Sequence, residues 1–306
     1  MRAVRRTDRG IEVVEVPPPG EGVRVRITSA GICGSDLHLA ATGPLPQTLG
    51  HEFGGVLDDG TAVAVRPYVP CGSCGPCTGG RPHLCITGLT RFYGVSIDGG
   101  MADEIAVDPS CLVPLPAGVD PADAGLAEPV AVAVHGIGRL GVGPGQRVLV
   151  IGGGPIGLCA IAAALDAGAA VDVSARREAR QAAAAILGAR PAPDGATYDV
   201  VVDAAGTAEA TEDAVQRVSP GGTVGLLGTW WEPVALSGAW QLKEVSLVQG
   251  FLYSDDEFAA AAGLIRSVPA LRGAMVTHRF GLADAVEAFR VAGNRSTGAI
   301  KVVLEP

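Results

Sequence analysis

Residues 147–157, Arg-Val-Leu-Val-Ile-Gly-Gly-Gly-Pro-Ile-Gly, constrain the fold of this chain more than any other stretch. An apolar run of strand length passes straight into a glycine-rich loop, and the loop passes into an apolar, alanine-rich helical segment from Ile156 to Leu165. Glycines there permit a tight turn and a close backbone approach, and the helix start turns free N–H groups towards an anion. The bare pattern is weak. In a strand–loop–helix context it reads as a dinucleotide cradle, with Gly152, Gly154, Pro155, Ile156 and Gly157 as candidate contacts.

The surrounding sequence carries the same grammar. Strands are predicted at Arg147–Ile151, Ala170–Ser174, Asp199–Asp203, Thr223–Leu227 and Ser246–Phe251. Helices are predicted between and after them at Pro155–Asp166, Glu178–Leu187, Ala208–Val218 and Asp256–Ile265. Short apolar strands alternating with helices make a parallel, doubly wound α/β sheet. Residues 1 to about 116 differ. Ile11-Glu12-Val13-Val14-Glu15-Val16, Pro17-Pro18-Pro19 and Gly22–Ile32 suggest short strands and turns in an irregular β-barrel. A chain of 306 residues exceeds one typical core. We therefore expect a first domain at 1–130, a sheet domain at 131–266, and a segment at 267–306 whose closing strand, Ile300–Leu304, returns to the first.

Composition narrows the partners. A net charge of -9 argues against nucleic acid, which needs a basic face. The first residues, Met-Arg-Ala-Val-Arg-Arg, have no apolar core of a signal peptide. The most apolar stretch, Ala122–Val134, is interrupted by Asp123, Gly125, Glu128 and Pro129, so no membrane span is expected. A cytoplasmic location follows as an expectation, and in that compartment close-spaced cysteines point to metal rather than disulfides.

Four of the seven cysteines form a run, Cys71, Cys74, Cys77 and Cys85, with Gly72, Gly75, Gly79 and Gly80 between them. Four thiolates with no open position suit a structural zinc. The alternatives are an accidental cysteine-rich loop or an iron–sulfur site. A second, scattered group comprises Cys33, His51, Glu52 and Glu128. Catalytic zinc takes few protein ligands and keeps a position open, and these residue types suit it. A lone Cys or His is more often structural. Glu128, among the small residues of Ala124–Gly136, would be costly to bury without a partner. Asp36 and Arg66 are candidate supports for this group. Cys111 and Cys159 read as small buried apolar residues.

The end of the second sheet-domain strand normally selects the cofactor, because an acidic side chain there grips a ribose 2′-hydroxyl. Here the stretch is Val171-Asp172-Val173-Ser174-Ala175-Arg176-Arg177. Asp172 comes too early. Ser174, Arg176 and Arg177 suit a 2′-phosphate, so NADP is expected over NAD; the plain alternative is two solvated arginines at a helix start.

Taken together, Ala30–His38, Gly50–Gly55, Cys71–Cys85, Ala127–Gly136, Val148–Leu158 and the Ile300–Leu304 ending resemble the zinc-dependent medium-chain dehydrogenase/reductase family, across almost the whole chain. The resemblance implies a GroES-like β-barrel catalytic domain and a Rossmann sheet. It implies one catalytic and one structural zinc. Cys33 and His51-Glu52 would lie at the catalytic ion, and Glu128 stands where alcohol dehydrogenases have a third cysteine, as in the sorbitol, glucose and threonine dehydrogenase branches. Ser35 would take the substrate proton and His38 pass it on. The substrate class is a secondary alcohol, polyol or sugar, and the family forms homodimers and homotetramers. Rival expectations are a zinc-independent reductase of C=C or quinone bonds, and a non-catalytic NADPH-binding relative. Two departures stand out. The hairpin after Gly55 is short, and the linker between Ala189 and Tyr198 is too short for a strand and helix, so we expect a sheet of about five strands. Trp230, Trp231, Phe92 and Tyr93 are candidate walls of a substrate pocket.

Overall fold

In the computed structural model, which describes residues 1–306 apart from Glu232 and Leu236, the chain divides into two units. One holds Met1–Glu128, Ser254–Arg266 and Val276–Pro306; the other holds Pro129–Tyr253 and Ser267–Met275.

The first unit begins with an antiparallel hairpin of β1 (Arg2–Thr7) and β2 (Gly10–Glu15). Next come β3 (Val23–Ile32), α1 (Gly34–Thr42), β4 (Glu52–Val56), β5 (Ala62–Val65), the four-residue α2 (Gly75–Thr78), β6 (Glu104–Val107), β7 (Leu112–Pro114) and α3 (Ala127–Arg139), whose first turn closes this part of the unit. The chain then builds the second unit from β8 (Arg147–Ile151), α4 (Pro155–Asp166), β9 (Ala170–Ser174), α5 (Glu178–Ile186), β10 (Arg190–Pro191), β11 (Tyr198–Asp203), α6 (Ala208–Arg217), β12 (Val218–Leu226), α7 (Gly238–Leu242) and β13 (Ser246–Gln249). It ends with α8 (Asp255–Ser267), α9 (Pro269–Met275), β14 (Val276–Gly281), α10 (Ala285–Gly293) and β15 (Lys301–Glu305).

Strand β3 organises the first unit. Its early residues pair with β6, and its later residues lie between β4 and β15 in a sheet of order β14-β15-β3-β4-β5-β7. Burial along β3 follows this change. Val25 and Ile27 alternate with more exposed neighbours, whereas Ser29 to Ile32 are all buried. One apolar core joins Val25 and Ile27 to Phe53, Val63, Val65, Met101 and Leu304. The short hairpin after β4 turns through Gly60, whose φ of +89° suits glycine, and pairs Val56 with Ala62.

The second unit is a wholly parallel sheet in the order β10-β9-β8-β11-β12-β13. Val148, Leu149 and Val150 of β8 and Val200, Val201 and Val202 of β11 are buried, as central parallel strands require. Helix α4 buries Leu158 to Ala164 in one run, and its small alanines let it lie close to β8 and β9.

Among the described residues the sheet has six strands, not the five or so that the short linker implies. The edge strand β10 consists of only Arg190 and Pro191, paired with Asp172 and Val173. Two residues carry no apolar period, so the sequence gives no sign of it. The crossover helix is indeed absent: residues 192–197 run from β10 to β11 through a turn. A polar network joins the strands there. Tyr198 donates its hydroxyl to Asp172 at 3.1 Å, Arg190 donates to the same carboxylate at 3.1 Å, and the Arg147 guanidinium lies 5.0 Å from the Tyr198 ring centre. Asp172, 3% exposed, is therefore a paired buried charge of the sheet. Among the described residues no helix is long and apolar enough to cross a membrane.

Candidate functional site

The register of β3 and β4 brings the scattered ligand group together. Gly31 faces Glu52, so the end of β3 and the start of β4 lie side by side. Cys33 follows β3 as the N-cap of α1, and His51 immediately precedes β4. Donor atoms of Cys33, His51 and Glu52 all lie within 4.8 Å of one another. His51 and Glu52 are buried, and Cys33 is half-buried.

Asp36, fully buried in the first turn of α1, supports both ligands. One carboxylate oxygen accepts the Cys33 N–H at 2.8 Å, and the other lies 3.2 Å from Nδ1 of His51. That contact leaves Nε2 of His51 on the side of Ser35, whose hydroxyl is 3.3 Å away. Burial opposes charge on the imidazole, but Asp36 and Cys33 outweigh it and hold its pKa well above the ordinary histidine value. The Phe92 ring covers the site edge-on, 6.2 Å from the imidazole. His38, one helical turn beyond Ser35, is exposed.

Glu52 has a partner that sequence reasoning missed. Lys301, at the start of β15, donates to both carboxylate oxygens, at 2.8 and 2.6 Å, and to the Ile32 carbonyl at 3.2 Å. Lysine is so rare in this chain, at positions 243 and 301 only, that one opening a buried apolar strand was the available signal. The pair meets across β3, over Gly31. A β-carbon on Gly31 would stand 2.2 Å from the Glu52 carboxylate, so glycine leaves the opening.

Other expected residues fall elsewhere. Glu128 is buried in the first turn of α3 but is not one of the three converging donors. Arg66 does not join the group. It pairs with Asp255, donates to the Ser110 carbonyl and lies over the Tyr68 ring. Tyr93 belongs to the first unit's core, and its hydroxyl accepts the Asp108 N–H at 2.9 Å. Trp230 packs against the core of the second unit, and Trp231 is exposed.

The four-cysteine lobe has a different construction. Sulfur–sulfur separations are 3.4 Å for Cys74–Cys77, 3.9 Å for Cys74–Cys85 and 4.0 Å for Cys71–Cys77. Four thiolates around one zinc would stand about 3.8 Å apart, given zinc–sulfur bonds of about 2.3 Å. N–H groups already point at the sulfurs: Cys74 donates to Cys71 and Cys71 to Cys85, each at 3.3 Å. Hydrogen bonds from Ser73 and Cys74 pull the Cys71 thiol down to about 5, while desolvation beside Cys74 pushes Cys77 up to about 12. Unequal thiols packed this closely suit a divalent cation that draws off all four protons. Both donor sets thus fit zinc: the lobe as a closed site, the mixed group as an open one.

In the second unit, the loop after β8 has the shape its glycines imply. Gly152 has φ +105°, a value L side chains avoid. Gly157 allows α4 to close on the loop, since a β-carbon there would fall 1.8 Å from the Gly152 carbonyl. Gly154 caps α4, with Pro155 in its first turn and Ile156 next. The Ser174 carbonyl accepts the Gly152 N–H at 2.9 Å; Arg176 is exposed and Arg177 caps α5. Two further residues shape this region unannounced by sequence. The Arg180 guanidinium would lie 3.8 Å from a β-carbon on Gly154. Buried Asp203 accepts the N–H groups of Ala205 and Gly206 and the Thr211 hydroxyl, fixing the turn after β11. That turn adjoins the loop: a β-carbon on Gly152 would meet Ala204 and Ala205 at 3.2 Å.

Comparison with known proteins agrees with this construction. Residues 19–117 match the alcohol dehydrogenase GroES-like domain, and residues 155–267 match the zinc-binding dehydrogenase family. The chain is 32% identical to L-galactonate-5-dehydrogenase of Escherichia coli K12, over 92% of each protein. It is similar to a zinc-binding dehydrogenase structure from Sinorhizobium meliloti 1021 bound to NADP, with TM-score 0.88, 29% identity, and coverage of 100% of this chain and 99% of that one. It is also similar to an alcohol dehydrogenase structure from Escherichia coli CFT073 complexed with NADH, with TM-score 0.90, 28% identity and the same coverage. A GroES-like domain, a parallel Rossmann-like sheet and these relatives together make the chain an oxidoreductase of alcohols and polyols, and a member of the zinc-type medium-chain dehydrogenase/reductase family.

Proposed function

We propose that this enzyme interconverts a secondary alcohol, polyol or sugar with its carbonyl product, passing hydride to and from NADP in preference to NAD. One observation carries the reading: the donor atoms of Cys33, His51 and Glu52 converge within 4.8 Å, with the buried Asp36 carboxylate behind two of them.

Cys33 and His51 would hold a catalytic zinc, with Glu52 and Glu128 as the carboxylates available to it, and Cys71, Cys74, Cys77 and Cys85 would hold a structural one. The catalytic ion would supply Lewis acidity to the substrate oxygen. The protein's residues do the rest. Asp36 orients the imidazole through Nδ1, which leaves Nε2 towards Ser35. Ser35, at the edge of the group, accepts the hydroxyl proton of the alcohol, and the exposed His38 passes it to water. The carbon loses a hydride and the oxygen a proton, so a ketone or aldehyde and NADPH result. Hydride chemistry belongs to the nicotinamide, and the protein supplies binding and orientation.

The pyrophosphate would sit on Gly152, Gly154, Pro155, Ile156 and Gly157, at the N-terminus of α4. Solved relatives hold NADP in one case and NADH in another, so the preference rests on the strand end. Residues 174–177, with Ser174, Arg176 and Arg177, include no acidic side chain, and Asp172 is committed to Tyr198 and Arg190. The sugar-acid name of the Escherichia coli K12 relative supports a hydroxylated substrate. A cytoplasmic homodimer or homotetramer fits an outer edge of the sheet, at β13, where Leu242, Leu247 and Phe251 are exposed. The test is to count zinc per chain in the purified protein and to screen polyols and sugars with both cofactors. Turnover with NADP is the expected outcome. A clear NAD preference overturns the cofactor assignment alone, and NADPH binding without turnover of any alcohol favours a non-catalytic relative.

A further inference from the structure

Glu52 faces two claims. One of its oxygens lies within 4.8 Å of donor atoms of both Cys33 and His51, while both of its oxygens are hydrogen-bonded to Lys301. The lysine and glutamate side chains are each 2% exposed, so water cannot replace either partner. All three ammonium protons are occupied, two by Glu52 and one by the Ile32 carbonyl. The geometry is fixed by backbone pairing. Val302 faces Ile32 across β15 and β3, Gly31 faces Glu52 across β3 and β4, and the bare Gly31 lets the two side chains meet over the strand between them.

We propose that Lys301 is a positioning residue that competes with the catalytic metal for Glu52. It holds the carboxylate on the β15 side at rest, which leaves the position nearest Glu52 open to substrate or water. This proposal rests on the reading of Cys33 and His51 as metal ligands. The physical basis is charge. A buried carboxylate has one full positive partner in Lys301 already, and a divalent ion must outbid that partner to recruit it. Removing Lys301 takes away the cation that holds both Glu52 oxygens, so Glu52 should then turn to the metal.

The experiment uses the zinc-loaded full chain in chelator-buffered zinc, reading metal content per chain. Cys33→Ser provides the baseline for the cysteine-lobe ion. Glu52→Gln, which keeps the side-chain shape, removes the contested carboxylate and sets the reference affinity of the site without it. Lys301→Met is expected to hold the second zinc at least tenfold more tightly than the parent, Lys301→Arg to resemble the parent, and the Lys301→Met/Glu52→Gln double variant to lose that gain. In cobalt-loaded protein, Lys301→Met should also shift and weaken the visible d–d bands as a ligand is added. A purely structural role for Lys301 would lower thermal stability and leave those bands in place. Either of two results overturns the proposal: a folded Lys301→Met with parent affinity and spectrum, or a Lys301→Met/Glu52→Gln double variant that keeps the tighter binding. If Lys301→Met does not fold, Lys301→Gln, a neutral polar side chain, takes its place in the same comparison. A parent protein whose zinc content is unchanged by Cys33→Ser overturns the metal reading itself, a different and separately visible failure.

Discussion

The two cysteine-bearing sites of the first unit are built in opposite ways. The lobe draws four thiols from fifteen consecutive residues, Cys71 to Cys85, and places them near the surface on turns. The mixed group draws its ligands from the end of one strand and the start of the next, and its countercharge, Lys301, from 249 residues beyond Glu52. The lobe is a local object that needs only its own loop. The mixed group exists only where β3, β4 and β15 are in register. A closed set of thiolates braces, while an open, buried set with one shared carboxylate can bind and release.

The largest effect expected from this contrast is on stability. Cys77→Ser should remove one metal and cost about 3–5 kcal/mol, a fraction of what a structural zinc contributes to a small metal-dependent fold. Differential calorimetry should show a fall in Tm of roughly 10 °C or more, with turnover per folded molecule largely kept below the transition. Loss of turnover in fully folded Cys77→Ser would break the division of labour between the sites.

Gly31→Ala sharpens the other side of the contrast. The added methyl would meet the Glu52 carboxylate at 2.2 Å. We expect a cost of about 2–3 kcal/mol from overpacking, with lowered zinc at the mixed site and an unchanged lobe ion, read by metal analysis and urea unfolding.

The same distinction explains how much was legible in the sequence. The cysteine run was readable because its spacing is its geometry. The parallel sheet was readable because strands buried on both faces read as apolar runs, as in Val148–Ile151 and Val200–Val202. Asp36 could be named as a support, since it lies one helical turn from Cys33. Lys301 could not, because nothing local ties it to Glu52. Arg66 was misread for the same reason: its partners, Asp255 and Ser110, are set by long-range packing. The two-residue β10 has no period to read, and its position depends on the Asp172 network.

Two smaller predictions extend the comparison to the second unit. Arg176→Ala should raise the KM for NADP roughly 10- to 100-fold and leave that for NAD almost unchanged, as loss of a charge-assisted phosphate contact of about 1.5–3 kcal/mol implies. Equal effects on both cofactors would show that Arg176 does not read the 2′-phosphate. Asp172→Asn should cost about 1–2 kcal/mol in unfolding experiments, because Tyr198 keeps an acceptor while Arg190 loses its countercharge. Metal content and cofactor preference should not change. A switch of cofactor preference in Asp172→Asn would place that residue at the ribose after all.

The central claim is that chemistry belongs to the mixed group. Its most direct test is metal analysis of Cys33→Ser paired with turnover on the best substrate found. The account predicts a folded protein with one zinc in place of two and a rate lowered at least a thousandfold, about 4 kcal/mol in transition-state stabilisation. A Cys33→Ser protein that keeps both metals, or keeps full turnover with one, would contradict it.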